Sequence, residues 1–464
     1  MSNSSRPKVI IVGAGIGGLT LGILLEKAGV PFEIVERSAS TTPMGSSIAL
    51  GCNVRNVFEQ IGLWEEFVKV GKPTFVMNIS DQQRQQICQI DFHAQGELSS
   101  TDMYALSRPV FHEMLLRRVP AERLHYGKKV TSIVQGSSGV AIHTSDNSTY
   151  EGDILVGADG ANSIVRQSMY EKLYKEGKLP CSDNEPLSFK TIALIGQTSP
   201  LNKEQFPEIL REDSPFECTV GENNYGANTI CWQAFLTLDK TASKAHDSFR
   251  NSEWGPEAAE QMCKDVKDIP FKGGNGNLTI GDLIERSPKD RLTKVVFEEK
   301  IFKTWSFGRT VLLGDSKSKL HPAGGMGAAI AIQDAVTLAN WINVLPGDVG
   351  EDDLAKVFRA YKKERLPEIL GRNRISQTNA ALLGKTLQGK AARYILNNLP
   401  KLIIEKAAYD NVRSRPQVSF LPLVEDGGKI PASPQPSLDK TLEILKKREK
   451  AAAVAATARP VASV

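Results

Sequence analysis

Glycines and isolated acidic residues, rather than nucleophiles, are what this chain spaces in a chemically suggestive way. Near the start, Gly13-Ala14-Gly15-Ile16-Gly17-Gly18 is followed, 18 residues beyond Gly18, by Glu36. In the middle stands Val156-Gly157-Ala158-Asp159-Gly160, and late in the chain Leu313-Gly314-Asp315 precedes Pro322, Gly324, Gly325 and Gly327. The first pattern makes specific physical demands. Gly13 allows a tight turn, Gly15 lets backbone approach a pyrophosphate, Gly18 lets a helix pack closely on a strand, and Glu36 can accept from ribose hydroxyls. In the third, an apolar helix opens at Gly327, so the loop delivers backbone N–H groups to a helix N-terminus, which attracts negative charge. Taken alone, strand, glycine loop and helix is also the ordinary way to build an α/β crossover.

Other chemistries find little support. The six histidines are scattered, with no HExxH and no Ser-His-Asp order. Cys52, Cys88, Cys181, Cys218, Cys231 and Cys263 form no CxxC pair and no metal-like spacing, and read as reduced thiols of a cytoplasmic protein. With 57 basic against 53 acidic residues the net charge is only +4, spread out except at Lys446 to Lys450, which disfavours a nucleic-acid partner. No uninterrupted apolar run approaches the roughly 18 residues of a membrane span, so no integral membrane segment is expected.

The elements around these residues are α/β in pattern. Lys8 to Val12 reads as a buried strand, Leu19 to Ala28 as a helix closed by Gly29, and Phe32 to Val35 as a second strand ending in Glu36. The small-residue segment Pro43 to Leu50, with Ser47, Ile48 and Ala49, suits a loop passing beside a flat ligand, or is simply a surface loop. Thr74 to Ile79 and Ile87 to Phe92 alternate like a hairpin. Arg108-Pro109 opens a helix with proline in its first turn, where Arg108 could meet a phosphate or face solvent. A buried strand Ile154 to Val156 leads into the Asp159-Gly160 turn, with Ser163 and Arg166 on a short helix after it. From about Pro180 to Glu299 amphipathic strands and aromatics suggest a second domain on a mixed or antiparallel sheet, where Tyr225 and Trp232 either line a pocket or fill the core. Helices follow from Gly327 onward, at Asp352 to Glu364 and again from Leu366. Beyond Gly428 the Pro/Ser-rich and then Ala-rich composition reads as a linker and a marginal helix outside the core.

The 464 residues are enough for two domains. The division expected is a nucleotide-binding domain in three pieces (1–72, 105–180, 300–375), a substrate domain in two (73–104, 181–299), a C-terminal helical segment (376–428) and a flexible tail (429–464).

Taken together and in this order, the three motifs resemble the single-component (class A) FAD-dependent aromatic hydroxylases of the p-hydroxybenzoate and salicylate hydroxylase type. Arg415-Pro416-Gln417 and Ser419-Phe420-Leu421-Pro422 are similar to fungal secondary-metabolism members. The resemblance implies a Rossmann-type FAD-binding domain, NADPH or NADH as reductant, O2 as oxidant, and transfer of one oxygen atom through a flavin C4a-hydroperoxide to an electron-rich aromatic or alkene small molecule. It implies that Gly13, Gly15 and Gly18 hold the FAD pyrophosphate and Glu36 the adenosine ribose. Arg37 and the segment Ser47, Ile48 and Ala49 join the cofactor contacts, and Arg108 meets the ribityl-phosphate region. Asp159 would serve both FAD and the nicotinamide, Asp315 would bond the ribityl chain, and the amides of Gly327 and Ala328 would face the flavin pyrimidine edge. The chain departs from the family in two places. The usual Gly-Asp-Ala-Ala-His becomes Gly314-Asp315-Ser316-Lys317-Ser318, losing the histidine, and Gly-Gln-Gly becomes Gly325-Met326-Gly327. An FAD-dependent oxidase or reductase on the same fold, or a non-catalytic flavin-fold binding module, is the alternative. The oligomeric state and the group that would polarise a phenol or indole are not legible.

Overall fold

The computed structural model describes residues 6–40, 47–80, 86–202, 219–220, 229–243, 256–270, 278–383, 387–398, 409 and 411–457. Its centre is a six-stranded sheet in the order Ser306–Phe307, Thr310–Leu312, Ile154–Gly157, Val9–Val12, Phe32–Val35 and Leu124–His125. All neighbours run parallel except the edge hairpin formed by the first two. Val9–Val12 and Ile154–Gly157 are buried along their whole length, which is why they read as unbroken apolar runs: in a parallel sheet both faces are covered.

The register explains how motifs so far apart in sequence meet. Val12 pairs with Gly157, and Gly157 with Leu312. Three adjacent strands therefore end level, and the turns that follow them are Gly13-Ala14-Gly15, Ala158-Asp159 and Gly314-Asp315. In open α/β sheets ligands bind outside these carboxyl ends. The helices Ile16–Ala28 and Gly327–Asn343, which follow the first and third turns, pack on each other. A Cβ on Gly17 would lie 2.4 Å from Leu313 and 3.2 Å from Ala331, so the absent side chain sets their approach.

A second, antiparallel sheet runs Thr219–Val220, Thr229–Ser243, Ser188–Gln197, Thr293–Ile301, Ser318–Lys319. Its own core includes Phe189, Leu194, Ile230, Trp232 and Leu283. Its last strand belongs to the loop between Asp315 and the late helix, so that loop is the seam between the two sheets. The expected hairpin pairs Val76–Ser80 with Gln86–Asp91, as a two-stranded sheet of its own.

Three expectations are corrected. Ser47–Leu50 is a strand rather than a loop, paired with Met103–Ser107. The helices read separately around Glu364 and Leu366 form one helix, Glu351–Leu383, running through Pro367. Tyr361, Arg365 and Ile369, all buried, anchor it on either side of the proline, and this packing outweighs the lost backbone bond. The stretch read as a flexible tail is largely the helix Pro436–Thr457, with Ser437 and Thr441 fully buried and Ile444 and Leu445 against the main core. Its first turn is capped from outside: the Glu364 carboxylate accepts from the Ser437 N–H at 2.7 Å and its hydroxyl at 2.9 Å. A cap 73 residues away leaves no local trace in the sequence.

Candidate cofactor site

Gly13 adopts φ 108°, and a Cβ there would stand 2.5 Å from the Ala158 carbonyl oxygen, so the first and second turns are in contact. A Cβ on Gly18 would fall 2.0 Å from the Gly13 oxygen; only glycine lets the helix return this close. Gly15 is different in kind. Its Cβ would meet nothing within 4 Å, and it caps Ile16–Ala28 without any side-chain hydrogen bond. The helix thus begins without a side-chain cap beside an open space at Gly15, the arrangement that receives an anion.

Glu36 is fixed beside this turn. Its Oε2 accepts from the Ala14 N–H at 2.9 Å and its Oε1 from the Ser38 N–H at 2.9 Å. His112 Nε2 meets the Ala14 carbonyl at 2.8 Å, and burial lowers the pKa of this ring, so it is a neutral donor. His112 lies on the helix Arg108–Leu116, whose first residue is Arg108. The Arg108 side chain is solvent-accessible yet closely surrounded by protein, as at the wall of a concavity. These surroundings lower its pKa while the Asp315 charge acts against them. Arg37 is exposed, and Ser47, Ile48 and Ala49 pair with Ser107, Leu106 and Ala105, the strand that delivers Arg108.

Asp159 caps the helix Ile164–Lys175, its Oδ2 accepting from Ile164 N–H at 2.7 Å and Val165 N–H at 3.3 Å. Its Oδ1 is buried with no hydrogen-bond partner, and burial raises the pKa of the carboxyl. Arg166, on the same helix and 5% exposed, donates to the Ala161 carbonyl at 2.5 Å and the Ser316 carbonyl at 2.8 Å while its guanidinium lies 4.2 Å from the Phe302 ring centre. The Ser316 hydroxyl donates to the Gly157 carbonyl at 2.5 Å, and the Leu313 N–H to the same oxygen at 2.9 Å. The second and third turns are thus one bonded unit.

On that unit Asp315 points outward. Its carboxylate pairs with Lys319 at 2.5 Å, and its Oδ1 lies 3.9 Å from where a Gly327 Cβ would be. It stands before the helix Gly327–Asn343, whose N-cap, Met326, supplies no side-chain bond; Met326 instead packs against the main core. Gly327 is exposed and Ala328 half-buried.

Of the two candidates read as a pocket wall, Trp232 does not join this site. Trp232 is 3% exposed in the second core, its indole N–H bonded to Ser287 Oγ at 3.0 Å and its ring filling the space left by Gly196. A large ring opposite a glycine in a sheet is a packing pair, which corrects its candidacy as a pocket wall. Tyr225 lies outside the described residues.

Two groups received no role from the sequence. His321, 7% exposed, sits in the seam loop three residues beyond the position where the family's histidine is missing. Its Nδ1 accepts from the Ala323 N–H at 3.1 Å, so its Nε2 carries the proton, facing Thr191 Oγ at 3.4 Å and the Glu299 carboxylate at 3.8 Å. Burial lowers its pKa. Lys317 is wholly buried, paired with Asp334 at 2.9 Å. Among the described residues no group of three His, Cys, Asp or Glu side chains could hold a metal, and no helix is long and apolar enough to cross a membrane.

Open helix N-termini at Gly15 and Gly327, an unpartnered buried oxygen on Asp159 between them, and Arg108 and Asp315 within electrostatic reach of each other fit an elongated ligand carrying a pyrophosphate and a polar chain. The FAD-binding-domain family model matches residues 6–261 and 278–369. The FAD-dependent monooxygenase janM of Penicillium janthinellum is 29% identical over 434 residues, covering 90% of this chain and 86% of the relative. This chain belongs to the FAD-dependent monooxygenases of the FAD-binding-domain family. The monooxygenase ausM of Aspergillus calidoustus is 26% identical over 439 residues, 92% of each chain. Among solved structures, Klebsiella pneumoniae HpxO complexed with FAD and uric acid superposes with a TM-score of 0.66 at 19% identity, over 89% of this chain and 99% of that one. The p-nitrophenol 4-monooxygenase PnpA from Pseudomonas putida gives 0.63 at 16%, over 89% and 98%. At such identities these two share the fold with this monooxygenase.

Proposed function

We propose that this monooxygenase takes its electrons from NADPH or NADH, uses O2, and inserts one oxygen atom into an electron-rich aromatic ring or alkene of a small molecule, the other atom leaving as water. FAD, when bound, supplies the electron storage and oxygen activation; the chain supplies position and charge. The observation that carries the proposal is the level ending of three strands, which gathers the turns of Gly13, Asp159 and Asp315 on one rim.

In this reading the N–H groups beyond Gly15 hold the pyrophosphate, Glu36 keeps free lone pairs for a ribose hydroxyl, and Arg108 meets the ribityl-phosphate region with Asp315 on the ribityl chain. Asp159 offers its unpartnered oxygen. The N–H groups at Gly327 and Ala328 stabilise the negative charge that the pyrimidine edge gains on reduction. A single GxGxxG leaves no second nucleotide domain, so the nicotinamide visits and departs. Substrate choice belongs to the sheet domain, pieces 73–104 and 181–299. Cys52, Cys181, Cys231 and Cys263 are unbridged, in keeping with a cytoplasmic setting.

The test is turnover under isotopically labelled O2 with each nicotinamide. One labelled atom per product molecule, with one NAD(P)H consumed, is the expected result. Hydrogen peroxide formed with no label in product would move the protein to the oxidases of the same fold.

A further inference from the structure

Behind the Gly314-Asp315 turn lies a cluster that the cofactor contacts above do not use. Lys317 Nζ is 2.9 Å from Asp334 Oδ2, and neither side chain has any exposure. The same Oδ2 accepts the Gly314 N–H at 3.1 Å, while Oδ1 accepts from Arg365 Nε at 2.9 Å. Arg365 also donates to Gln333 Oε1 at 3.0 Å. The ammonium faces the Trp305 ring at 4.2 Å and the Tyr361 ring at 5.9 Å, and the Tyr361 hydroxyl donates to the Leu312 carbonyl at 3.2 Å.

One carboxylate here bonds two cations in a dry interior. Two further carboxylates, Glu364 and Glu368, act on Arg365, the first while bonded to Ser437 and the second while bonded to Arg372 at 2.9 Å, and Lys362 lies beyond Trp305 at 6.0 Å. The charges that act on Lys317 itself are Asp334, Arg365 and Asp315. Holding the turn needs only Asp334 and Arg365; an apolar residue at 317 would fill the aromatic box without the desolvation that a buried ammonium suffers. The Lys317 charge lies toward the site: the oxygen it pairs with also accepts the Gly314 N–H of the cofactor turn, and Asp315 is within its electrostatic reach.

We propose that Lys317, Asp334 and Arg365 form an internal counter-charge for the flavin, with Lys317 a positioning and tuning residue that favours the reduced, anionic cofactor over the oxidised one. This rests on FAD occupying the site described above. Burial brings the Lys317 pKa down to about 8, so the charge is present at neutral pH and removable just above it.

The experiment is the midpoint potential of FAD in the purified holoenzyme, for wild type, Lys317→Met and Lys317→Arg. Removing the charge is expected to weaken reduced FAD relative to oxidised FAD roughly tenfold, the scale of one unit charge acting through protein, and arginine to restore most of it. An unmoved potential in Lys317→Met, with a normal flavin spectrum, would overturn the inference. If that variant does not fold, wild type alone decides: the potential is expected to fall more steeply with pH around 8, and a uniform slope there would overturn the inference equally. Absence of bound FAD from wild type would instead overturn the flavin reading on which it rests.

Discussion

The Arg166 guanidinium donates to the carbonyl oxygen of Ser316 at 2.8 Å across 150 residues of sequence, and this bond locks the second motif turn to the third. Together with the Ser316 hydroxyl, which donates to the Gly157 carbonyl, Arg166 makes two separate strand ends into one surface. Replacing it with alanine leaves the carbonyls of Ala161 and Ser316 without this partner. The expected cost is about 2–4 kcal/mol, with loss of FAD from the purified protein. Chemical denaturation and the ratio of flavin to protein absorbance would check both; full flavin content with unchanged stability would contradict the assignment.

The three glycines of the first turn should separate by function. Gly15→Ala meets no atom, so stability should stay within about 1 kcal/mol of wild type while FAD affinity falls about tenfold or more. Gly18→Ala drives a methyl group into the Gly13 carbonyl and should prevent normal folding. Circular dichroism and FAD titration of the apoproteins distinguish them, and equal effects of the two would count against an anion site at Gly15.

Lys317 also sets a pH signature. Its folded pKa of about 8 lies below the ordinary lysine value of 10.5, so between these values the unfolded chain holds a proton the folded chain lacks. Its cost to stability, on the order of 3 kcal/mol, is fully present below pH 8 and shrinks as pH rises toward 10.5. Relative to Lys317→Met, wild type should therefore gain stability between pH 8 and 10, measured by urea unfolding of both proteins. A difference that stays constant would place the lysine outside the interior.

Trp232 should behave as core. Trp232→Ala is expected to cost about 3–5 kcal/mol through the cavity it opens beside Gly196 and Ser287, while KM values across substrates keep their order in the protein that remains folded. A reordered substrate preference would return it to the pocket wall.

What the sequence made legible was the local backbone chemistry of the site. Gly13, Gly15 and Gly18 are glycines for reasons that act within a few residues, and their spacing could be read without a structure. The two-sheet architecture followed similarly from buried runs such as Ile154 to Val156 and from the alternating strands after Leu187. What could not be read were side chains whose partners lie far along the chain. Lys317 stood out as a departure from a motif, yet its inward course depends on Asp334, Trp305 and Tyr361 from three other elements. The cap that Glu364 provides for Ser437 turned an unpromising tail into a packed helix. The indole of Trp232 was ambiguous until Gly196 was found opposite it.

In the proposed function the rim built by Gly15, Asp159 and Asp315 holds a flavin that a nicotinamide reduces and O2 reoxidises. Anaerobic stopped-flow absorbance at the flavin band tests it most directly, mixing the yellow protein with NADPH or NADH across a panel of aromatic and isoprenoid-indole compounds, then admitting O2. Bleaching by one nicotinamide, accelerated by a productive compound, is expected, with recovery of the oxidised band and oxygenated product once O2 is admitted. Bleaching by neither nicotinamide, with panel compounds themselves reducing the flavin, would contradict it.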